Sequence, residues 1–347
     1  MKKMLLAVLL AGLIFPACRG KAQDSATAGD SAKAQASAVV EEDYVVKIGQ
    51  GVTVGLCSAP FFIAIEKGYY EEEGLKWDLV QVETGQTNLM LTTGQIDVTN
   101  NLLATLIQPL ANGLDVKIPL GLHTGCQKVL VRADSDIKTP ADLRGKKIGT
   151  SGMASSSTVI TQRYLAELGI GVTVDNLEVE WVIYQSADLP LALERGQVDA
   201  IALGDPTAYL TEQDTGARVI INQATDDYLK DEQCCVIVAG SDFIKNHPQT
   251  AAKFTRAIQK AAAFVQNNPE ETARLMAEKR YVAGDPEVNG AILKTYNYRS
   301  SVSGAQIAIG RNTRDLQRIG LVGEDVDPEA LTRNIFVALD GVPDSLF

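Results

Sequence analysis

The chain carries one pattern twice, about 100 residues apart. Ile48-Gly49 is followed by a short loop, a helix-like run ending at Gly74-Leu75, an apolar strand from Trp77 to Val82, and then Gly94-Gln95-Ile96-Asp97. Ile148-Gly149 is followed by a Ser-rich loop, a helix-like run ending at Gly169-Ile170, a strand from Val179 to Tyr184, and Gly196-Gln197-Val198-Asp199. A repeat of this length exceeds a solenoid unit and suits a lobe of alternating strands and helices. Two such lobes predict an α/β clamshell. Ligands of open parallel sheets sit beyond the carboxyl ends of the strands, so the equivalent loops are expected to face each other across one cleft. That arrangement suits a receptor for a small molecule.

The segment ahead of the repeat is built differently. Lys2-Lys3 followed by the apolar run Met4 to Phe15 has the charged start and short apolar stretch of an export signal, and is too short to span a bilayer. Phe15-Pro16-Ala17-Cys18 resembles a bacterial lipoprotein box, which makes residues 1–18 a lipoprotein signal peptide and Cys18 the expected site of lipidation. Stable anchoring needs more than one acyl chain, and a lipidated cysteine meets that need. Residues 19–43 are rich in Ala, Ser, Gly, Lys, Asp and Gln and cannot bury enough apolar surface to offset ordering entropy. They read as a disordered tether with a mean reach of roughly 25–30 Å. The expected location is extracytoplasmic, with the membrane reached only through the lipid.

The remaining residues exceed one compact core and suit two lobes. A net charge of -11 offers no basic stripe for nucleic acid. Strands are expected at Tyr44–Gly49, Val116–Leu122, Lys128–Arg132, Ile201–Leu203 and Arg218–Ile221, and a helix over Ala59–Tyr70 opened by Pro60. From Asn246 the pattern is helical, with Phe254, Ile258, Ala261, Ala262 and Val265 on one face. Asn268-Pro269-Glu270-Glu271 then reads as a capped start to a further helix. With two crossings, near 127–132 and 234–240, the expected lobes are 44–127 plus 238–347 and, inserted between them, 128–237.

Ala59-Pro60-Phe61-Phe62-Ile63-Ala64-Ile65-Glu66-Lys67-Gly68-Tyr69-Tyr70 with Glu73-Gly74-Leu75 resembles the signature of substrate-binding proteins of the nitrate, sulfonate and taurine class of ABC importers. Ala141-Asp142-Leu143-Arg144-Gly145-Lys146-Lys147-Ile148-Gly149 and Val198-Asp199-Ala200-Ile201 are similar to two further segments of that class. The resemblance implies a type II periplasmic binding protein fold and a monomer that delivers a captured solute to permease and ATPase subunits. It does not name the solute, since members serve sulfonates, nitrate, bicarbonate, aromatic acids and thiamine-pyrimidine precursors.

Geometry nominates the ligand contacts. The loop Cys57-Ser58 opens one helix and Ser155-Ser156-Ser157 opens another, so both aim free backbone N–H groups at an anion or at the acid end of a zwitterion. Asn101, following the first Gly-Gln-Ile-Asp, and Asp205, following the second, are expected to line the same cleft, as are His123 and Thr124. A carboxylate at a buried strand end needs a partner, which for Asp205 is a ligand amine, a hydroxyl or a nearby Lys or Arg. The competing bland roles are an N-cap for Ser155 or Ser156 and for Asp205.

Without Cys18 four cysteines remain, an even number in a compartment that permits oxidation. A disulfide of Cys126 with Cys234 or Cys235 is expected across the crossings. Free thiols packed as small apolar residues are a second possibility. A metal site built from Cys57, His123, Cys126 and Cys235 is a third, and the absence of a Cys-x-x-Cys pair counts against it. No cofactor or metal is therefore assigned. The runner-up function follows from the resemblance: relatives that make the pyrimidine of thiamine use a histidine and an iron-binding cysteine cluster, whereas this chain has one vicinal cysteine pair and an export signal. No Ser-His-Asp order, phosphate loop or His-Glu-x-x-His motif marks an enzyme.

Overall fold

A computed structural model describes residues 44–347 apart from 52, 53 and 84. The expected signal peptide, Cys18 and the tether lie outside the described residues. Twelve strands follow in chain order among the described residues: β1 (Val45–Gly51), β2 (Lys76–Val82), β3 (Val98–Leu102), β4 (Val116–His123), β5 (Gln127–Val131), β6 (Lys147–Thr150), β7 (Val172–Thr173), β8 (Asn176–Leu177), β9 (Glu180–Ile183), β10 (Ala200–Gly204), β11 (Arg218–Asn222) and β12 (Cys235–Gly240). Apart from the small β7–β8 hairpin they form two five-stranded sheets, ordered β2-β1-β3-β12-β4 and β9-β6-β10-β5-β11.

Position by position the two orders correspond. In each, the three repeat strands run parallel and a fourth, antiparallel strand lies beside the third: β12 beside β3, and β5 beside β10. That fourth strand is the one contributed by a crossing, so each lobe receives a strand from the chain as it leaves the other. β12 lies in the first sheet over its whole length, pairing with β3 and β4. The chain is thus back in the first lobe by Cys235, ahead of the expected residue 238. The crossings themselves are the short Thr124-Gly125-Cys126 and the longer 223–234.

The Gly-Gln-Ile/Val-Asp motif gains a physical role. The Lys47 N–H donates to Asp97 Oδ2 at 2.8 Å and the Asp97 N–H donates to the Lys47 carbonyl at 2.8 Å. In the second lobe the Lys147 N–H donates to Asp199 Oδ2 at 2.8 Å and the Asp199 N–H to the Lys147 carbonyl at 2.8 Å. Each aspartate clips the incoming third strand to the first. The glycine three residues earlier, Gly94 or Gly196, turns the chain at φ 66°, a left-handed conformation that side chains with a Cβ disfavour.

After Gly240 the described chain is helical but for isolated bridges. The helix Pro248–Asn267 buries the apolar face formed by Phe254, Ile258, Ala261, Ala262 and Val265, packing on the helix Ala59–Glu66. Two local expectations change. The helix opened by Pro60 stops at Glu66, because Gly68 at φ 71° breaks it before Tyr69–Glu72. Asn268 does not cap the helix Pro269–Glu278; its side-chain amide donates back to the Phe264 carbonyl at 3.0 Å. No helix among the described residues is long and apolar enough to cross a membrane.

Candidate functional site

The carboxyl ends of β1, β3, β6 and β10 lead to the loops nominated above, and the crossings run beside them. Ser58 is buried and its hydroxyl donates to Asn100 Oδ1 at 3.0 Å, joining the first two loops of lobe one. The bond falls on Asn100, whereas the expected Asn101 turns its own Oδ1 to the Leu102 N–H at 2.8 Å.

The Ser-rich loop is divided in its roles. Ser155 is the N-cap of the helix Ser156–Glu167, accepting from the Thr158 N–H, and its hydroxyl also meets Ser157 and Thr158. Thr150 bonds Thr158 and completes a hydroxyl network within the second lobe. Capping therefore accounts for Ser155, and Ser157 is engaged locally. Ser156 differs: its hydroxyl is buried without a partner beside the free N–H groups of the first turn.

Asp205 finds the cation that its position requires inside the protein. Lys128 Nζ lies 3.3 Å from Asp205 Oδ1, with the lysine side chain 5% and the aspartate 0% exposed. The Tyr209 N–H, in the first turn of the helix Thr207–Thr215, donates to the same oxygen at 3.0 Å, although the N-cap position of that helix falls on Pro206 and not on Asp205, while Oδ2 is buried and unpartnered. Burial pushes the Asp205 carboxyl above its ordinary range, against the opposing pull of Lys128. Because Lys128 supplies the positive charge, a ligand ammonium is no longer implied. The open acceptor instead calls for a hydrogen-bond donor.

The cysteines and His123 converge. Cys57 is half-buried and Cys126, Cys234, Cys235 and His123 are buried. All four cysteines are free thiols; the Cys126 and Cys234 sulfurs lie 3.4 Å apart, outside the roughly 2.05 Å of a disulfide. The expected bridge is thus not formed. Cys126 lies in the crossing itself, off the strand ladders, and contacts Cys234 by way of a backbone at φ 100°. Hydrogen bonds from Cys234, Cys235 and Cys57 hold the Cys126 thiol well below its ordinary range, and the same contact pushes Cys57, Cys234 and Cys235 up. Burial lowers His123. Its ring lies 5.4 Å from Tyr296, nearly parallel, and 4.9 Å from Tyr298. Thr124 is buried, its backbone paired with Asn297 and its hydroxyl unpartnered. Sequence reasoning missed Tyr296 and Tyr298, whose alternation around Asn297 was the available signal. It also missed Lys128 as the partner of Asp205.

Comparison with known proteins agrees with this architecture. The sequence profile of the family described as "NMT1/THI5 like" matches residues 57–272. A putative aliphatic sulfonates-binding protein of Bacillus subtilis is 25% identical over 290 residues, covering 80% of this chain and 84% of that one. A 4-amino-5-hydroxymethyl-2-methylpyrimidine phosphate synthase of Aspergillus parasiticus is 23% identical over 299 residues, covering 81% of this chain and 84% of that one. The solved periplasmic aliphatic sulphonate binding protein of Escherichia coli superposes with a TM-score of 0.67 at 21% identity, over 82% of this chain and 96% of that one. The fold is that of the periplasmic binding proteins, and the chain belongs to the NMT1/THI5-like family.

Proposed function

We propose that this protein is the extracytoplasmic solute-binding component of an ABC importer, capturing a small organic anion by closure of its two lobes and presenting it to permease and ATPase subunits. The observation that carries the reading is the matched pair of sheets. Their exchanged strands put the carboxyl ends of β1, β3, β6 and β10 beside two connections, so that a ligand touching both lobes stabilises the closed form over the open one. The Bacillus subtilis and Escherichia coli relatives bind aliphatic sulfonates by name, which places sulfonates first among candidates. The N-terminus of the helix Ser156–Glu167, with the unpartnered Ser156 hydroxyl, suits the acid group. Asp205 Oδ2 suits a hydroxyl or N–H donor on the same ligand. Lipidation at Cys18 would hold the protein at the membrane as a monomer.

A thermal-shift screen of the full-length protein against sulfonates, amino acids, aromatic acids, pyrimidines and nitrate tests this. The melting temperature should rise with one class of organic anion. A response to pyrimidines accompanied by their chemical conversion would replace the transport reading with that of the synthase relative.

A further inference from the structure

The turn Leu56–Ser58 opens the helix Ala59–Glu66, one of the two helix starts expected to face the acid group of a solute. Its place in the lobe is set from far along the chain. The Tyr298 hydroxyl, 242 positions away, donates to the Leu56 carbonyl at 2.7 Å, while the Ser58 hydroxyl reaches Asn100 at 3.0 Å. The tyrosine bond is not needed to satisfy the carbonyl, which already accepts the Ala59 N–H inside the turn. Nor is a hydroxyl needed to fill the space, since phenylalanine carries the same ring. What the hydroxyl adds is a fixed position for the turn. Burial pushes the Tyr298 phenol up, so it stays protonated and remains a donor.

Tyr298 is itself held firmly. Its side chain is fully buried, and its N–H donates to Gln266 Oε1 at 2.6 Å on the helix Pro248–Asn267. Residues 297–301 run antiparallel along the outer edge of β4. The Thr124 N–H donates to the Asn297 carbonyl at 2.9 Å, and the Gly121 N–H to the Ser301 carbonyl at 2.9 Å, with the Ser301 N–H returning to Gly121 at 3.0 Å. Thr124 is where the chain leaves the first lobe. Adjacent residues, Asn297 and Tyr298, therefore grip the start of the first crossing and the turn that opens a cleft-facing helix. A buried side chain on a pinned backbone, bonded to a loop that meets the ligand, preorganises a site from behind.

We infer that Tyr298 is a positioning residue for the solute: its hydroxyl holds the turn Leu56–Ser58, and with it the N-terminus of the helix Ala59–Glu66, where the acid group of a bound solute meets them. The inference rests on the solute-binding reading above. Tyr298 acts through the turn and touches no solute atom. In Tyr298→Phe the ring and its packing stay, but the turn loosens and must be ordered again each time a solute binds, at a cost in affinity.

The test compares the full-length protein with Tyr298→Phe and, as a control, with Tyr70→Phe. Tyr70 is equally buried in the same core, but its hydroxyl has no partner among the described residues. Hydrogen–deuterium exchange without solute should show the peptide covering 56–63 exchanging about tenfold faster or more in Tyr298→Phe, with no change over 147–167 in the second lobe. Calorimetry with the organic anion that raises the melting temperature most, alkanesulfonates being tried first, should show its Kd raised about tenfold or more. The melting temperature of Tyr298→Phe without solute should fall by no more than about 4 °C, because one hydrogen bond is lost and no carbonyl is stranded. Tyr70→Phe should leave exchange and affinity as they are. Equal exchange over 56–63 in Tyr298→Phe and the unaltered protein would overturn the inference, as would the same loss of affinity in Tyr70→Phe. If an organic anion binds the unaltered protein and Tyr298→Phe equally, this inference alone falls; if none binds the unaltered protein, the solute-binding reading falls and takes the inference with it.

Discussion

Arg163 offers the sharpest test of how the lobes are held together. It lies on the second-lobe helix Ser156–Glu167 and is fully buried, with no exposed side-chain surface. Its guanidinium donates to Glu232 Oε1 at 2.8 Å and Oε2 at 2.7 Å, to Asp315 Oδ2 at 2.7 Å, and to Asn312 Oδ1 at 2.7 Å. Glu232 belongs to the second crossing, and Asn312 and Asp315 to the helix Val302–Arg318, which packs on β4 of the first lobe. Arg163→Met keeps most of the volume and strands a carboxylate that is 2% exposed and another that is 11% exposed. Removing one partner of a buried pair costs about 3–5 kcal/mol. Two cations remain to soften the loss, Arg311 Nε at 3.3 Å from Glu232 and Arg318 at 2.7 Å from Asp315, which puts the expected cost near the lower end, about 3 kcal/mol. With a urea slope of about 3 kcal/mol/M for a chain of this size, the unfolding midpoint should fall by about 1 M. Adding Glu232→Gln should recover about 1 kcal/mol or more, since it neutralises one stranded charge. A loss below about 1 kcal/mol for Arg163→Met, or a double variant weaker than the single one, would refute the reasoning.

Further outcomes follow from the same contacts. Asp97 is buried and also accepts from the Tyr44 hydroxyl at 2.9 Å, whereas Asp199 is more exposed, so Asp97→Ala should cost about 2–3 kcal/mol and Asp199→Ala about 1 in urea denaturation. Asp205→Asn leaves Lys128 buried without its counter-charge, so it should lower the melting temperature as well as weaken solute binding; unchanged stability would show that the pair does not form. Burial works to raise the Glu73 carboxyl, but hydrogen bonds and charge from Arg256 and Lys260 hold it below its ordinary value of 4.5. The stability that Glu73 contributes is therefore present above about pH 4.5 and lost as pH falls through its lower folded-state value. The gap between the unaltered protein and Glu73→Gln should close on acidification, and a gap that widens would contradict the sign.

Much of the fold was legible because the repeat is a statement about topology. Two copies of one strand-helix pattern imply two similar sheets, and expected strands such as Trp77–Val82 and Lys128–Arg132 fall within about a residue of those observed. The sheet to which a crossing strand belongs was not legible, because an apolar run such as Cys235–Gly240 reads the same in either lobe and only its neighbours β3 and β4 decide. Site residues divide along the same line. Cys57, His123, Cys126, Cys234 and Cys235 could be brought together from loop positions alone. Lys128 pairs with Asp205 across 77 positions, and Arg163 with Glu232 and Asp315 across 69 and 152, so no local spacing announced them. Ser155 shows the reverse case: its chemistry was visible, and the cap rather than a ligand claims it.

The central claim, that a solute is gripped between two lobes, is tested most directly by small-angle scattering of the full-length protein with and without a saturating organic anion taken from the thermal-shift screen. Closure predicts a smaller radius of gyration and the loss of the longest interatomic vectors on binding. Superimposable curves at full occupancy would contradict it.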